Sequence, residues 1–303
     1  MPRRMHHPSR HPRRFSKRGQ RNGLPSRIIV TLGVAATLVF VLTLPASFAW
    51  GENGERLVTN KAIDTLPQEM GSFFEANRQY LVQHVTDAGE LDAKIAADEH
   101  KNFIELDHYG AYPYSALPRV YTAAVAKYGR HTLDTYGLLP WQIGLYSKKL
   151  TDAFQAHQWP EAKVSAAALA HYVAAAHDPF NTTINFDGKL SGQPGVRGRF
   201  DTGLVDRYQL FFFVKPNEAA FVSDPTDYAF EMAISAHSWL ENVLIADRRA
   251  HAGLEGYTDT YYDRFYAQAG AVLVRQLSDA STDIGSYWMT AWINAGRPAL
   301  PSE

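Results

Sequence analysis

Apolar residues recur at helical spacing along most of the chain, and this pattern predicts an all-α protein. The alanine-rich run of residues 161–176 has strong helix propensity, with Pro160 where a first turn tolerates proline and Pro179 as its terminator. Further helices are predicted over residues 67–85, 118–127, 139–158, 224–252 and 258–295. Residues 208–214 (YQLFFFV) break the pattern and are interpreted as a strand or a lipid-facing patch, with burial in the core as the main expectation.

Each predicted helix carries an apolar stripe that is expected to face the core. In residues 67–85 the stripe consists of Phe73, Phe74, Tyr80, Leu81 and Val85, and in residues 139–158 it consists of Leu145, Leu150 and Phe154. In the last third of the chain it consists of Phe230, Ile234, Trp239, Leu244, Ile245, Phe265, Ala269, Leu273 and Leu277.

The first 49 residues differ from the rest in charge and hydropathy. They hold nine Lys and Arg residues and no acidic residue, and the apolar run of residues 28–44 carries no charge over 17 positions. This arrangement is typical of an export signal or a membrane anchor. Ser47 and Ala49 are small residues at the positions that a signal peptidase reads, so cleavage would leave Trp50 at the new N-terminus. The alternative is an uncleaved, positive-inside anchor.

We therefore predict an exported protein, periplasmic or secreted, with residues 1–49 as a basic signal segment and residues 50–303 as a single all-helical domain. The 303 residues are 46% hydrophobic, enough to bury a sizeable core. No cysteine is present, so an exported chain must be held by its core or by metal. Residues 50–303 carry 21 Lys and Arg against 31 Asp and Glu, a formal charge of −10. This excess argues against non-specific nucleic-acid binding, which needs a positive surface.

Six residues in and after the alanine-rich run form a motif: His171, Tyr172, Pro179, Phe180, Asp187 and Gly188. They resemble the His-Tyr, Pro-apolar and Asp-Gly elements of the zinc-dependent phospholipase C and single-strand-specific nuclease family. The resemblance implies a multi-helix phospholipase C/nuclease-type domain. In that family three zinc ions, held by a terminal Trp and by His, Asp and Glu side chains, generate hydroxide and aim it at phosphorus.

The start of the predicted mature chain resembles the same family. Trp50, Gly51 and Gly54 match its Trp-Gly-x-x-Gly-His opening, in which the terminal Trp binds zinc, and Glu55 replaces the ligand His. Carboxylate oxygen can bind zinc, so Glu55 is a candidate ligand. The alternative is an ordinary acidic residue in the first turn of a helix. The metal positions that are retained or replaced by a residue able to ligate are Trp50, Glu55, His171 and Asp201.

Five other ligand positions carry residues that cannot replace the original ligand: Gly89, Asn102, Ala175, Asn181 and Arg197. This alignment rests on residues 102–107 (NFIELD), which resemble the family's His-Phe-Ile-Asp-Leu-Asp segment. Arg197 places a fixed positive charge where a cation would sit, and it could instead pair with Asp201 or hold an anionic ligand.

Two alternatives stay open from the sequence. A second alignment pairs Asp98 with His108 and preserves both ligand types. Asp178 shares a helix face with His171 and could act as a substitute ligand if the helix continues that far, or it could belong to the turn that ends the helix.

The leading interpretation is a protein with a degraded metal site that binds a ligand or partner, such as a phospholipid or another phosphoester, and needs no cofactor. The alternative is an active, zinc-dependent phosphoester hydrolase with a rearranged site. Its candidate ligands are Glu55, Asp98, His108, His171, Asp178 and Asp201. A third interpretation is a membrane-anchored structural protein.

Overall fold

The computed structural model describes residues 50–94 and 99–302. The predicted export segment, residues 1–49, and the candidate ligand Asp98 lie outside the described residues. Within these ranges the chain forms helices of several kinds and contains no β-strand, so the prediction of an all-α protein is confirmed.

The α-helices follow in chain order. They are α1 (Gly51–Ile63), α2 (Gln68–Ala76), α3 (Arg78–His84), α4 (Asp87–Lys94), α5 (Tyr121–Tyr128), α6 (Arg130–Tyr136), α7 (Leu139–Gln155) and α8 (Trp159–Ala176). After α8 come α9 (Val196–Gly198), α10 (Leu204–Tyr208), α11 (Pro225–His237), α12 (Leu240–His251) and α13 (Asp259–Asn294). A π-helical turn, Arg199–Gly203, joins α9 to α10. The 3-10 turns are Glu99–Asn102, Leu106–Tyr109, Pro179–Thr182, Lys189–Ser191 and Gln209–Phe211.

The predicted bounds of the central helix are confirmed, whereas two of the other predicted helices are each divided into two. Helix α8 begins at Trp159 and ends at Ala176, as its flanking prolines predict. The pattern over residues 67–85 contains two helices, α2 and α3, which meet at Asn77, whose side-chain amide donates to the Phe73 carbonyl at 2.8 Å. Residues 224–252 likewise divide into α11 and α12.

Helix α8 is the centre of the fold. Every residue from Ser165 to Ala176 is buried, so this stretch has no solvent-facing side. A helix that is apolar all round is stable only inside a protein. Helices α1, α3, α4, α7, α11 and α13 pack around it, and the small alanine side chains let them approach closely.

The last carbonyl groups of α8 are buried, and side chains from other segments satisfy them. The Trp50 indole Nε1 donates to the Ala174 carbonyl at 2.9 Å, and the Asn181 side-chain amide donates to the next carbonyl along the helix at 3.0 Å. Gln276 of α13 donates to the His177 carbonyl at 2.7 Å. The carbonyls of Ala174 and Ala175 also accept the backbone N–H groups of His177 and Asp178, so the side-chain donors add a second hydrogen bond to each and connect α8 to other segments.

Residues 214–222, here called the strap, run along α13 without regular secondary structure. Their backbone N–H groups donate to side-chain hydroxyls of that helix. The four hydrogen bonds, 2.8 to 3.1 Å long, join Lys215 to Ser278, Asn217 to Thr282, Ala220 to Ser286 and Val222 to Thr290. The hydroxyls recur every fourth residue and therefore lie on one face of α13.

Residues 208–214 form no strand, so that part of the prediction is wrong, and the expected burial holds for part of the stretch: Val214 lies in the core and Tyr208 and Phe212 pack against it. Helix α10 ends at Tyr208, the 3-10 turn Gln209–Phe211 follows, and the chain then continues into the strap. Phe212 turns inward, and its ring stacks on Tyr266 of α13 at a centroid distance of 5.9 Å. The exposed side chains of this stretch are Leu210 (93%), Phe211 (75%) and Phe213 (79%).

One position of the predicted stripes is also wrong. Leu150 and Phe154 of α7 are buried, but Leu145 is 47% exposed. It lines an open cavity of about 590 Å³ together with Trp141 and Tyr121. Separately, none of the helices in residues 50–94 and 99–302 combines the length and the apolar character needed to cross a bilayer.

Gly285 allows α13 to approach α1 closely. A Cβ atom at this position would lie 1.9 Å from Thr65 Oγ1 and 3.1 Å from the Ala62 carbonyl oxygen. The hydroxyl of Thr65 already donates to that carbonyl at 2.7 Å and cannot move without losing the bond. We expect Gly285→Ala to lower the free energy of unfolding, measured in urea, by about 1–3 kcal/mol through overpacking.

The matched control is Gly71→Ala in α2, where no atom lies within 4 Å of the added Cβ. There alanine should stabilise the helix by about 0.5–1 kcal/mol. Equal effects of the two substitutions would contradict the close contact at Gly285.

Candidate functional site

His171 lies in a buried polar cluster on the C-terminal half of α8. The residue is 2% exposed, its Nδ1 is 2.9 Å from Glu55 Oε2, and its Nε2 is 2.8 Å from Asn102 Oδ1. The Asn102 amide nitrogen lies 3.4 Å from Asp92 Oδ2, which turns the Asn102 oxygen toward the imidazole. Because oxygen atoms face both ring nitrogens, a doubly protonated imidazolium satisfies every one of these contacts.

The protonation of the His171–Glu55 pair follows from its surroundings. Burial alone would lower the pKa of His171, but the charge of Glu55, the hydrogen bond with Glu55 and the charge of Asp92 raise that pKa above its ordinary value. Burial raises the pKa of Glu55, and both His171 and Arg197 oppose this shift. Since both shifts have the same direction, the pair keeps its shared proton to a higher pH than the free groups would.

Asp92 of α4 extends this cluster. It accepts a hydrogen bond from the Tyr172 hydroxyl at 2.8 Å, and its other oxygen is 3.4 Å from Lys101 Nζ. The Tyr172 hydroxyl also lies 3.4 Å from Gln142 Nε2. Sequence reasoning missed Asp92, Lys101 and Gln142, because nothing distinguishes them from ordinary polar residues before the fold brings them to the His171–Tyr172 pair.

A second buried group surrounds Arg197. Its Nη2 donates to Asn181 Oδ1 at 2.6 Å and lies 3.4 Å from Asp178 Oδ2, while its Nε donates to Asp201 Oδ2 at 3.1 Å. The Arg197 side chain is 12% exposed, and those of Asp178 and Asp201 are 0% and 2% exposed. Arg197 therefore pairs with Asp201, which is one of the two roles that the sequence left open.

The backbone on one side of this group is a π-helical turn. The chain passes from α9 through Arg199–Gly203 into α10, so Arg197 and Asp201 lie on either side of the entry to the turn. Such turns are rare, and many of those known lie at functional sites.

The other side of the group comes from the end of α8. The helix stops at Ala176, and Asp178 adopts an extended backbone and accepts the N–H of Phe180 at 2.8 Å. Asp178 thus belongs to the turn that ends the helix. It reaches Arg197 because this turn directs its carboxylate inward, and not because the helix continues.

The two aspartates share the guanidinium and influence each other. Burial, followed by the charge of Asp178, raises the pKa of Asp201 well above its usual range. Burial also raises the pKa of Asp178, although the charge of Arg197 opposes the shift. A hydrogen bond between the two side chains, with Asp201 donating, raises the pKa of Asp201 and lowers that of Asp178.

Groups of opposite charge face each other in both clusters. Arg197 lies against Asp178 and Asp201, and His171 lies against Glu55. The positive charge of Arg197 also opposes the rise in the pKa of Glu55, so the two groups interact electrostatically. Buried charges are tolerated in proteins when they are paired in this manner.

This arrangement does not fit a zinc ion. Zinc binds the unprotonated nitrogen of a neutral imidazole, and both nitrogens of His171 already face partners. A cation placed between Asp178 and Asp201 would lie against the guanidinium of Arg197, which does not lose its charge. Over the part of the chain that the structure describes, no group of three or more His, Cys, Asp and Glu residues is arranged to hold a metal ion.

The remaining candidate ligands have other surroundings. Trp50 is fully buried, with its indole bonded to α8. His108 Nε2 is 3.0 Å from Glu105 Oε2, and its ring stacks on Tyr136 at 3.6 Å, away from the partners of His171. Because Asp98 lies outside the described residues, its pairing with His108 stays a prediction.

No protein-family model matches the sequence, and no curated protein matches it. Among solved structures the chain is similar to the alpha-toxin of Clostridium perfringens from an avian strain, with 12% sequence identity and a TM-score of 0.44. The similarity covers 82% of this chain and 65% of that one, so the chain spans less than two thirds of the toxin's length. A similarity at this level concerns a distant helical fold and assigns no function to this chain.

The raised pKa of Asp201 makes the free energy of unfolding depend on pH, with a sign that can be stated in advance. In the unfolded chain Asp201 ionises near its ordinary pKa of about 4, whereas the folded chain keeps the proton to a higher pH. This contribution to stability is fully present below about pH 4 and is lost as the pH rises through the folded pKa. We expect Asp201→Asn to remove this loss of stability at higher pH, because asparagine is neutral and keeps a donor for Asp178.

Denaturant unfolding between about pH 4.5 and pH 8 measures this difference. The stability of Asp201→Asn relative to the unmodified protein should rise by up to about 1.4 kcal/mol per pH unit between the pKa of Asp201 in the unfolded chain and its higher pKa in the folded chain. Glu255→Gln, the same carboxylate-to-amide change at an exposed position, is the control and should follow the unmodified protein. Parallel curves for Asp201→Asn would mean that Asp201 is ionised in the folded state.

Proposed function

We propose that this chain is a non-hydrolytic protein of the phospholipase C/nuclease type, which binds a ligand or partner and does not cleave phosphoesters. The observation that carries the proposal is the buried guanidinium of Arg197, which is held by Asn181, Asp178 and Asp201. These positions, except Asp178, are ones where the sequence resemblance expects metal ligands. An arginine neutralises carboxylates, but it cannot act as a Lewis acid or generate a bound hydroxide.

The contacts of Arg197 support a structural role for this region. The guanidinium joins the turn after α8 to the segment that leads into α10, which is a connection that a metal ion could otherwise make. The partners of His171 support the same conclusion, because a ring with both nitrogens engaged has no free lone pair for a metal or for a proton from water. Recognition of a phosphoester or another ligand would then use the exposed surface and not the buried cluster.

Hydrolysis assays test the proposal directly. Purified protein with added zinc should give no turnover on a phosphatidylcholine analogue or on single-stranded DNA, because the residues that would bind and aim hydroxide are paired with one another. Variants His171→Ala and His108→Ala cover the two alignments, and His131→Ala, at an exposed position of α6, is the matched control. Turnover that either of the first two variants abolishes, and the control does not, would contradict the proposal and support the hydrolase.

Thermal unfolding tests the independence from metal. A ligand that binds only the native state at a thousandfold excess over Kd stabilises it by about 4 kcal/mol. For a domain of this size that amounts to roughly 8–16 °C in melting temperature. We expect curves with zinc and with a chelator to coincide within about 2 °C, because Arg197 supplies the positive charge. A chelator-induced drop that zinc reverses, and that His171→Ala eliminates, would reveal a metal site.

A further inference from the structure

Leu210, Phe211 and Phe213 form an exposed apolar tip, here called the apolar loop (residues 209–213). Each of the three side chains is at least three quarters exposed. A single exposed apolar residue is ordinary, but three bulky ones within four positions indicate a contact surface. No part of the polar cluster around His171 and Arg197 contributes to this loop.

The base of the loop is held by aromatic stacking. The ring of Tyr208 stacks on Tyr266 at 4.3 Å, and Phe212 stacks on the same ring at 5.9 Å. The Tyr208 hydroxyl also donates to Asp263 at 2.6 Å. Tyr208 before the tip and Phe212 within it are thus fixed to α13, and after the tip the Lys215 N–H donates to Ser278 of the same helix. The outward direction of the tip is therefore a stable property of the fold.

The charges around the loop are mixed. Arg207 and Lys215 flank the apolar residues, and no acidic residue lies between them. Arg207 lies 4.1 Å from the Tyr262 ring centroid and 3.6 Å from Asp259. Acidic neighbours and the negative charge of residues 50–303 argue for a contact driven by apolar burial and not by attraction to anionic lipid.

The loop also lies on the side of the fold where the described chain begins. Helix α10, which leads into the loop, contacts the first turn of α1 through a 2.8 Å hydrogen bond from Asn53 Nδ2 to Asp206 Oδ1. The apolar run of residues 28–44 ends six residues before Trp50, and six residues span at most about 20 Å. If that run stays in a bilayer as an anchor, the first turn of α1 is therefore held close to the lipid surface.

We propose that the apolar loop inserts into the interfacial layer of a phospholipid bilayer with zwitterionic headgroups. Leu210, Phe211 and Phe213 would enter the boundary between headgroups and acyl chains, while Tyr208, Arg207 and Lys215 stay at headgroup level. A side chain that is 93% exposed projects from the surface and does not line a groove. A fluid bilayer can close around such a tip, whereas a protein partner must offer a matching pocket.

The absence of cysteine from the sequence makes a site-specific test possible. Phe213→Cys in the full chain, labelled with a polarity-sensitive fluorophore, gives one reporter at the tip. On addition of phosphatidylcholine vesicles, we expect a blue shift, quenching by a lipid-borne quencher, and about tenfold protection from an aqueous quencher. Val164→Cys, at a 56% exposed position on α8, is the matched control, and its label should stay in water.

The substitutions Leu210→Ser and Phe211→Ser, added to Phe213→Cys, should remove most of the roughly tenfold vesicle-dependent protection, because most of the apolar tip is lost. Both side chains are exposed, so the melting temperature should not change, and circular dichroism verifies the fold. This readout reports the position of the loop even if residues 28–44 also bind lipid, and it does not depend on hydrolysis.

Three results would overturn the proposal. The first is a label at position 213 that stays accessible to the aqueous quencher on vesicle-bound protein. The second is equal protection at positions 164 and 213, which would indicate adsorption without insertion. The third is protection that appears without vesicles and increases with protein concentration, which would assign the loop to a contact between two copies of the chain.

Discussion

The neutralisation of one buried guanidinium is the constraint on which the arrangement of the central region depends. An unpaired arginine side chain in a protein interior is strongly destabilising, so Arg197 has to meet anionic and neutral acceptors at the same time. It does so with Asp178, Asn181 and Asp201, which come from the turn after α8 and from the π-helical turn. The relative position of these two segments is therefore fixed by hydrogen-bond geometry and not by apolar packing alone.

Helix α8 makes apolar contacts along its middle and polar contacts toward its C-terminal end. Its middle is alanine-rich and buried on every side, which suits dense packing but offers no direction to the neighbouring helices. The orientation of the neighbouring segments is set by polar groups toward the C-terminal end of α8. There Trp50 and Gln276 donate to carbonyls, and His171 faces Glu55 and Asn102. Buried polar groups of this kind select one arrangement, because most alternatives leave a donor or an acceptor unpaired.

Much of the helical architecture could be predicted, because it follows from local periodicity and from prolines. The division of residues 67–85 at Asn77 could not, since it depends on a side chain that competes with the backbone for the Phe73 carbonyl. The exposure of Leu210, Phe211 and Phe213 was missed for a different reason. Hydropathy favours burial of such a run, and only the stacking of Tyr208 and Phe212 on Tyr266, more than fifty residues away, decides where the run points.

The candidate site could likewise be predicted only in part. The family resemblance identifies single residues of the site: Glu55, His171, Arg197 and Asp201. The pairing of Arg197 with Asp201, four positions apart, was one of two roles that the sequence offered. The contact between His171 and Glu55 could not be foreseen, because the two residues are 116 positions apart. The raised pKa of Asp201 could not be predicted either, since it depends on burial and on the proximity of Asp178, which arise only in the folded chain.

The hydroxyl groups of α13 that hold the strap have a consequence for how this protein can change during evolution. The path of residues 214–222 is encoded mainly in Ser278, Thr282, Ser286 and Thr290, because the strap contributes backbone N–H groups that nearly every amino acid possesses. Pro216 has no backbone N–H, and it occupies a position that donates none of these bonds. Solvent-facing positions of the strap are thus free to diversify while its course stays the same, whereas loss of a single hydroxyl on the helix would affect the course of the strap whatever its own residues are.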